Sequence, residues 1–270
     1  MQPLLNIAIA AARAAGHIII RYINRVDSVS VASKRRNDFV SEVDRLAERE
    51  IINVIRRAYP RHAILAEESG AHGDDEYRWI IDPLDGTTNF LRGFPHYAVS
   101  IALDHRHRPQ LGVVYDPFKE ELFTAFRGAG ATLNSRRIRV SQAAGLSGAL
   151  LGTGIPYRPD QNLDAYLATL KALLPDTAGV RRAGSAALDL AYVACGRLDG
   201  FWDFGLKPWD FSAGVLLVQE AGGMVGDMSG GQDFVNTGNV LAASPKPFKE
   251  MVRALRPHLA DVAKVHRSPA

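Results

Sequence analysis

Five short apolar segments follow one another in the first half of the sequence, and they limit the possible fold more than any other feature. They span residues 63–68, 78–82, 98–103, 111–116 and 121–126. Segments of this length that are rich in β-branched and aromatic residues are typical of strands. The Asp116-Pro117 turn between the last two segments predicts an antiparallel hairpin. We therefore expect strands to cluster in this half of the chain.

Apolar residues at helical spacing occur on both sides of the strand cluster. Helices are predicted at 3–23 and 41–58, a strand at 150–156, helices at 162–173, 185–195 and 210–221, and strands near 200–203 and 224–227. Clustered strands with helices outside them favour a layered α+β fold over a regular βαβ repeat. We expect two halves, residues 1–145 and 146–270, which meet near 142–148.

Composition narrows the class of protein. Hydrophobic residues make up 47% of the chain, charged residues 23%, and the formal net charge is +3. The basic residues are scattered, so they do not by themselves indicate a nucleic-acid surface. The single cysteine, Cys195, cannot form an internal disulfide, which fits a reducing cytoplasm. The apolar N-terminal segment lacks a basic leader region and is predicted to be a core helix, so we expect no membrane association.

The segment WIIDPLDGTTNF at 79–90 places two carboxylates beside groups that favour phosphate. We expect the strand to end at Asp82, because Pro83 cannot continue the hydrogen-bond ladder. Asp82 and Asp85 would then converge on a turn, and Gly86 would allow close backbone approach. The TTN residues that follow resemble the first turn of a helix, whose free N–H groups attract anions. Carboxylates and a phosphate can share this space if Mg²⁺ lies between them.

Two further acidic positions are candidates for the same site. Glu67 closes the strand AILAEES before a glycine, and Asp210 stands where the N-cap of the helix FSAGVLLVQEAGG is expected. Ser41 and Asp44 form the pattern of a capping box at the start of the second helix. Taken alone, each of these acids is ordinary: Glu pairs are usually solvated, and a capping Asp is usually only a cap. Their value as ligands depends on a shared fold.

WIIDPLDGTTNF and KPWDFSAGVLLVQEAGG (207–223) resemble the two signature segments of the inositol monophosphatase family. The likeness extends from the first helix to NTGNVLAASPK at 236–246, and it is strongest to the bacterial extragenic-suppressor branch. It implies a layered α/β/α/β/α sandwich, a homodimer, and lithium-sensitive phosphomonoesterase activity with two or three Mg²⁺ ions per site. The implied reaction is the hydrolysis of myo-inositol monophosphates by metal-activated water.

The resemblance also implies roles for individual residues. The metal ligands would be Glu67, Asp82, the Leu84 carbonyl, Asp85 and Asp210. Glu67 and Thr87 would hold the attacking water, with Asp44 bonded to the Thr87 hydroxyl or to metal-bound water. The residues beside the substrate would be Gly86, Thr87, Thr88, Gly184, Ser185, Ala186, Asp203 and Asp210. Lys34 matches a lysine near the mouth of the site, although an exposed loop lysine is an equally good interpretation.

Asp203 departs from the family pattern, which usually has a glutamate that binds a ring hydroxyl. The side chain is one methylene shorter, so the alcohol that is recognised stays open. Histidinol phosphate, fructose 1,6-bisphosphate or a nucleotide 3′-phosphate are alternative substrates. A non-catalytic role as a partner in an RNA polymerase antitermination complex is a further alternative. The basic turn at Arg136, Arg137 and Arg139 is compatible with that role but is also typical of a solvated hairpin.

Overall fold

The secondary structure of the chain was taken from a computed structural model, which describes residues 2–23, 31–35, 38–156 and 163–258. The helices are α1 Gln2–Tyr22, α2 Glu42–Ala58, α3 Thr87–Leu91, α4 Leu163–Leu173, α5 Ala186–Ala194, α6 Pro208–Glu220, α7 Phe234–Thr237 and α8 Pro245–Leu255. The strands are β1 Val31–Arg35, β2 Asp38–Ser41, β3 Ala63–Ala66, β4 Gly70–His72, β5 Tyr77–Asp85, β6 Ala98–His105, β7 Arg108–Asp116, β8 Glu121–Phe126, β9 Gly130–Leu133, β10 Arg136–Arg137, β11 Leu150–Thr153, β12 Gly179–Arg181, β13 Gly200–Asp203, β14 Met224–Gly226 and β15 Val240–Ala243.

The large sheet contains all five strands that the early apolar segments predict. Its order is β10-β9-β8-β7-β6-β5-β3-β4, and neighbours are antiparallel except β3 and β5. The predicted hairpin at Asp116-Pro117 is confirmed, because β7 and β8 pair antiparallel with Asp116 opposite Glu121. The small sheet has the order β12-β11-β13-β15-β14. Every strand of the large sheet precedes residue 138, and every strand of the small sheet follows residue 149.

Several elements have no counterpart in the sequence interpretation, among them β12, β15 and α8. The first two are only three and four residues long, and β15 is buried throughout. Such short runs carry no alternation between polar and apolar residues that would identify a strand. Tertiary pairing defines them instead, since β15 lies between β13 and β14. Helix α8 is clearly amphipathic, but its proline-containing start, Pro245–Pro247, obscures the helical pattern.

The layers alternate helix, sheet, helix, sheet, helix, which confirms the predicted fold class. Helices α1 and α2 cover one face of the large sheet, and α5 and α6 lie between the two sheets. Helices α4 and α8 cover the outer face of the small sheet. The alternation of β5 shows how one strand serves two cores: Trp79 and Ile81 face α1 and α2, whereas Ile80 faces the central helices.

Helix α1 is long and apolar enough, by length and composition, to be a candidate membrane span. Its small residues, such as Ala8, Ala12 and Ala15, are fully buried in the core shared with α2 and the large sheet. These residues pack in the core, as the sequence interpretation expected for this helix.

Candidate active site

A cavity of about 590 Å³ opens where the two halves of the chain meet. Its wall includes all of the predicted site residues except Asp44, namely Glu67, Asp82, Leu84, Asp85, Gly86, Thr87, Thr88, Gly184, Ser185, Ala186, Asp203 and Asp210. The structure thus brings together side chains from three distant segments of the chain. Lys34 lies on β1, but its side chain lies outside the described part of the structure.

The first strand end of the site differs from the prediction. The strand was expected to end at Asp82, but β5 continues through Pro83 to Asp85. Asp82 pairs with Ser100 and Asp85 with Ala98, so the two residues between the aspartates oppose a single residue of β6. This bulge accommodates a proline that cannot join the ladder.

The bulge also explains how Asp82 and Asp85 can share one cavity. Residues three apart on a regular strand point to opposite faces of the sheet. One extra residue reverses that alternation, so both aspartates line the same wall. The Leu84 N–H donates a 3.0 Å hydrogen bond to Asp82 Oδ1, which holds the bulge closed.

Gly86 makes the turn from β5 into α3. Its φ of 96° lies in the left-handed region, where glycine carries no steric penalty. A Cβ at this position would lie 2.9 Å from the His96 carbonyl oxygen and 3.3 Å from the Gly184 oxygen. Close packing as well as backbone conformation therefore requires glycine. The helix predicted at Thr87 is confirmed, although α3 has only five residues.

The Thr87 hydroxyl is held from behind the cavity by Asp44. The hydroxyl oxygen lies 2.8 Å from Asp44 Oδ1 and 3.1 Å from the Leu84 carbonyl oxygen. Asp44 is fully buried at the start of α2, where the predicted capping box with Ser41 is confirmed. Burial raises the Asp44 pKa, and hydrogen bonds from Ser41 and Thr87 act in the opposite direction.

The carboxylates of the cavity repel one another. Asp82 is only 2% exposed, and its pKa is raised well above the ordinary value by burial first and then by the charges of Glu67, Asp85 and Asp210. Burial raises the pKa of Asp85 to about 6, although hydrogen bonds from Ser185 and Ala187 lower it. Carboxylates that interact in this way are stable together only if some of them are protonated or if they share a cation.

The donor set matches a hard divalent cation. No group of three or more His, Cys, Asp or Glu side chains forms a ready metal cluster within residues 2–23, 31–35, 38–156 and 163–258. Four carboxylates and the Leu84 carbonyl nevertheless line one wall, and all of their donor atoms are oxygen. Oxygen donors of this kind suit Mg²⁺, which binds through a few carboxylates and keeps its other positions for water or phosphate.

Ser185 links the two halves of the chain through Asp85. Its hydroxyl donates a 2.6 Å hydrogen bond to Asp85 Oδ2, and the Ala187 N–H donates to the same oxygen at 2.8 Å. As the N-cap of α5, Ser185 also accepts from the Leu188 N–H. Direct binding of substrate by Ser185 stays a prediction, but its observed contacts hold the carboxylate of Asp85.

Asp210 lies one turn from its predicted position in the helix. It was expected to be the N-cap of α6, but the N-cap is Lys207 and Asp210 is the third residue of the helix. Pro208 occupies the first helical position, which a proline favours. The helix therefore begins two residues before Asp210. The Lys207 N–H donates to Asp210 Oδ2 at 2.7 Å, which satisfies one of the free N–H groups at this helix end.

Asp203 is the last residue of β13 and lines the cavity. Its Oδ1 accepts from the Phe204 N–H at 2.7 Å. A Cβ on Gly154 would lie 2.0 Å from Asp203 Oδ2, so the carboxylate packs directly on the backbone of the strand end that follows β11. The shorter side chain is therefore matched to a glycine opposite it.

Among the polar residues of the cavity, Asp189 and Arg182 were missed by the sequence interpretation, and Asn89 was assigned only to the first turn of α3. Asp189 on α5 is 2% exposed and has no side-chain hydrogen bond among the described residues, and burial followed by the charges of Asp85 and Asp203 raises its pKa well above the ordinary value. Arg182 is exposed at the cavity. Asn89 Nδ2 donates to the His96 and Ala183 carbonyls at 2.7 and 2.9 Å, which joins α3 to the loop before α5. An Asp within the apolar run SAALDLAYVA was the available signal for Asp189.

Comparison with known proteins agrees with this geometry. Residues 1–260 match the model of the inositol monophosphatase family. The chain is 55% identical over 270 residues to Nus factor SuhB of Pseudomonas aeruginosa, an alignment that covers 98% of this chain and all of the relative.

Two solved structures are also similar. The extragenic suppressor protein suhB of Bartonella henselae has a TM-score of 0.92 at 44% identity, covering 94% of this chain and 98% of that one. Inositol monophosphatase from Anabaena has a TM-score of 0.83 at 44% identity, covering 95% and 96%. The chain therefore belongs to the inositol monophosphatase family, in the branch that contains the SuhB proteins.

Proposed function

We propose that this protein is a Mg²⁺-dependent phosphomonoesterase that hydrolyses myo-inositol monophosphates to inositol and phosphate. The observation that carries the proposal is the convergence of Glu67, Asp82, Asp85 and Asp210 on one cavity wall beside Thr87. Membership of the family and similarity to a protein named inositol monophosphatase support the same reaction class.

The proposed metal ligands are Glu67, Asp82, the Leu84 carbonyl, Asp85 and Asp210. When bound there, Mg²⁺ would lower the pKa of a coordinated water and neutralise charge on the phosphate and on the leaving oxygen. The chain's own contribution is to fix these oxygens: Asp82 by the bulge, and Asp85 by Ser185 and Ala187. Positioning and charge neutralisation are most of what a phosphoryl transfer requires from a protein.

Thr87 and Glu67 would orient the attacking water. The Thr87 hydroxyl carries one proton, and Asp44 accepts it at 2.8 Å. The lone pairs of the hydroxyl oxygen are therefore left to accept a hydrogen bond from water, while the Glu67 carboxylate accepts the other hydrogen bond. The water oxygen then forms the new bond to phosphorus and the ester P–O bond breaks. One proton of the water stays with the phosphate product, and the other ends on the alkoxide, which leaves as the alcohol.

The second half of the chain would select the alcohol. Gly86 and Thr88 are the proposed phosphate contacts, and Gly184, Ala186 and Asp203, which line the same cavity, are the proposed contacts of the alcohol. Ser185 acts in this proposal mainly through Asp85, because its hydroxyl already donates there. Asp210 is shared between metal and substrate.

Phosphate release from inositol 1-phosphate tests the proposal directly. Wild type with Mg²⁺ should turn over, whereas wild type with chelator and Asp85→Asn with Mg²⁺ should not. The same assay with histidinol phosphate, fructose 1,6-bisphosphate and a nucleotide 3′-phosphate tests the alcohol. Turnover without metal would refute the mechanism, and equal kcat/KM across these unrelated phosphates would refute the specific substrate.

A second candidate function is participation in an RNA polymerase antitermination complex. The observation that favours it is the 55% identity to a protein named as a Nus factor, which extends over 98% of this chain and all of the relative. A deletion strain complemented with wild type or with Asp85→Asn separates the two functions. Restoration of RNA-processing phenotypes by the inactive variant supports the binding role, and failure of that variant alone supports the catalytic one.

Three further properties belong to the proposal through the family resemblance: a homodimer, lithium inhibition by competition at a Mg²⁺ site, and a cytoplasmic location. Light scattering of the purified chain and a lithium titration at fixed Mg²⁺ test the first two properties.

Cys195, half-buried at the end of α5, has its thiol pKa raised by burial, so it shows no sign of activation as a nucleophile.

A further inference from the structure

Glu48 is a buried acid for which the proposed reaction has no use. It lies on α2 and is only 3% exposed. It follows Asp44 by four residues, so the two carboxylates project from the same face of the helix, one turn apart. Its Oε2 accepts from the Glu68 N–H at 2.8 Å and its Oε1 from the Ser69 N–H at 2.9 Å. Both oxygens of this side chain are thus engaged by the backbone of one turn.

The turn that Glu48 holds carries Glu67. Strand β3 ends at Ala66, and the Glu67 N–H still donates to the Ile81 carbonyl of β5 at 3.1 Å. Beyond that point the next two N–H groups are bound by Glu48. The backbone of Glu67 is therefore fixed on one side by the sheet and on the other side by the helix.

Helix α2 consequently contacts both residues that the mechanism assigns to the attacking water. Asp44 binds the Thr87 hydroxyl, and Glu48 binds the turn after Glu67. We propose that Glu48 is a positioning residue that sets the orientation of Glu67, and that the single helical turn between Asp44 and Glu48 sets the spacing of the Glu67–Thr87 pair. This inference rests on the proposed function of Glu67.

The chain offers a matched control in Glu220. This residue, at the end of α6, also accepts from two backbone N–H groups, those of Gly128 and Gly130, both at 2.8 Å. The turn it holds lies outside the cavity wall. In Glu48→Gln and Glu220→Gln, one acceptor oxygen becomes an NH₂ that faces a backbone N–H. The substitution therefore disturbs the same kind of hydrogen-bonded turn in both variants, although Glu48 is buried and Glu220 is half-buried, and only the turn held by Glu48 adjoins a residue of the cavity.

The test is calorimetric titration of Mg²⁺ alone into wild type, Glu48→Gln and Glu220→Gln, with melting temperatures and kinetics on inositol 1-phosphate measured on the same samples. Both variants should lose melting temperature, Glu48→Gln by several degrees and Glu220→Gln by less, because Glu220 is half-buried. Glu48→Gln should weaken Mg²⁺ binding about tenfold or more, as loss of a residue that orients a metal ligand typically does. Its kcat should fall with little change in KM, and added Mg²⁺ should restore part of the activity. Glu220→Gln should bind and turn over as wild type does.

Unchanged Mg²⁺ affinity in Glu48→Gln, or an equal loss in Glu220→Gln, would overturn the positioning role. If Glu48→Gln does not fold, Glu48→Asp, which keeps the charge but shortens the reach, is judged by the same criteria. Failure of the proposed function would look different, because wild type itself would then neither bind Mg²⁺ nor release phosphate.

Discussion

Two groups of residues in the cavity lining are held differently. Among the proposed metal ligands and Thr87, hydrogen bonds from elsewhere in the chain hold side chains in place: Thr87 is bound by Asp44 and Asp85 by Ser185. In the rest of the lining, Asp189 has no side-chain hydrogen bond among the described residues and has the charge of Arg182 as its electrostatic partner, and Arg182 and Ile155 are exposed. The first group is hydrogen-bonded in the unliganded chain, whereas the second presents exposed side chains that are available for contact with a substrate.

This difference indicates how one scaffold can keep a reaction and vary its substrate. Transition-state stabilisation requires groups that are already in place, because reorganisation during the reaction reduces the benefit. Selection of an alcohol requires groups that gain hydrogen bonds when the correct hydroxyls bind. We therefore expect substitutions of the proposed metal ligands and Thr87 to lower kcat. Substitutions of the residues proposed to contact the alcohol should raise KM.

The largest expected effect is that of Asp82→Asn. Loss of this central carboxylate should lower kcat/KM roughly a thousandfold, because several kcal/mol of charge stabilisation depend on the metal site. The same substitution should raise the melting temperature in chelator, since it removes a buried charge that its neighbours repel. Steady-state kinetics and calorimetry on one preparation measure both quantities. A variant that loses activity and stability together would contradict the assignment of the carboxylate as a strained ligand.

Thr87→Ala should have the next largest effect. Without the hydroxyl the attacking water loses one acceptor, so kcat should fall on the order of 100-fold, as for other groups that orient a metal-bound species. Thr87→Ser keeps the hydroxyl within reach of Asp44 and is the matched control. KM for inositol 1-phosphate should be similar in all three proteins. Equal losses in the Ala and Ser variants would mean that the methyl group, and not the hydroxyl, matters.

Asp203→Ala tests the proposed contacts with the alcohol. It should raise KM for inositol 1-phosphate by about tenfold, the value of roughly one hydrogen bond to a charged group. The Mg²⁺ concentration for half-maximal activity should not change. Asp203→Glu is a sharper probe, because the longer side chain meets Gly154 and should disturb the packing there. Unaltered KM in Asp203→Ala would show that this residue does not contact the alcohol.

The smallest expected effect is a shift in melting temperature with pH and Mg²⁺. Asp85 has its pKa raised from 3.8 to about 6 in the folded chain, mainly by burial. Its contribution to stability is therefore full below pH 3.8 and is lost as the pH rises to about 6. Mg²⁺ should then stabilise the protein by several degrees at about pH 7.5 and less at about pH 5, where protons compete for the same oxygens. Asp85→Asn should show a smaller difference between the two pH values.

Sequence patterns predicted five of the eight described strands of the large sheet, and most of the described helices, because these segments carry clear apolar patterns. The first two helices begin within one residue of their predicted starts, and β8 has its predicted bounds. The short strands β12 and β15 were not predictable in this way, since partners distant in sequence define them. Proline misled the interpretation twice: Pro83 lies within a bulged strand, and Pro208 begins a helix before Asp210.

The candidate site followed the same division. Its acids were recognisable because the motif and the family resemblance single them out, and the structure places all of them except Asp44 in the lining of one cavity. Asp189, Arg182 and Glu48 were not recognised, because none of them belongs to a short motif of its own. The sequence showed that Asp189 is an unusual residue in an apolar helix. Only the fold showed that it lines the cavity.

The sequence by itself determined which atoms the cavity offers. The types and order of residues in WIIDPLDGTTNF and KPWDFSAG supply oxygen donors beside a turn whose backbone N–H groups are free. The tertiary structure alone decided the geometry. The bulge brings Asp82 and Asp85 to the same side of the strand, and α2 holds Thr87 and the turn after Glu67 from behind. The physical reason is that residue type sets which atoms can bind. Where those atoms stand depends on pairings between segments that are twenty to a hundred residues apart in the chain.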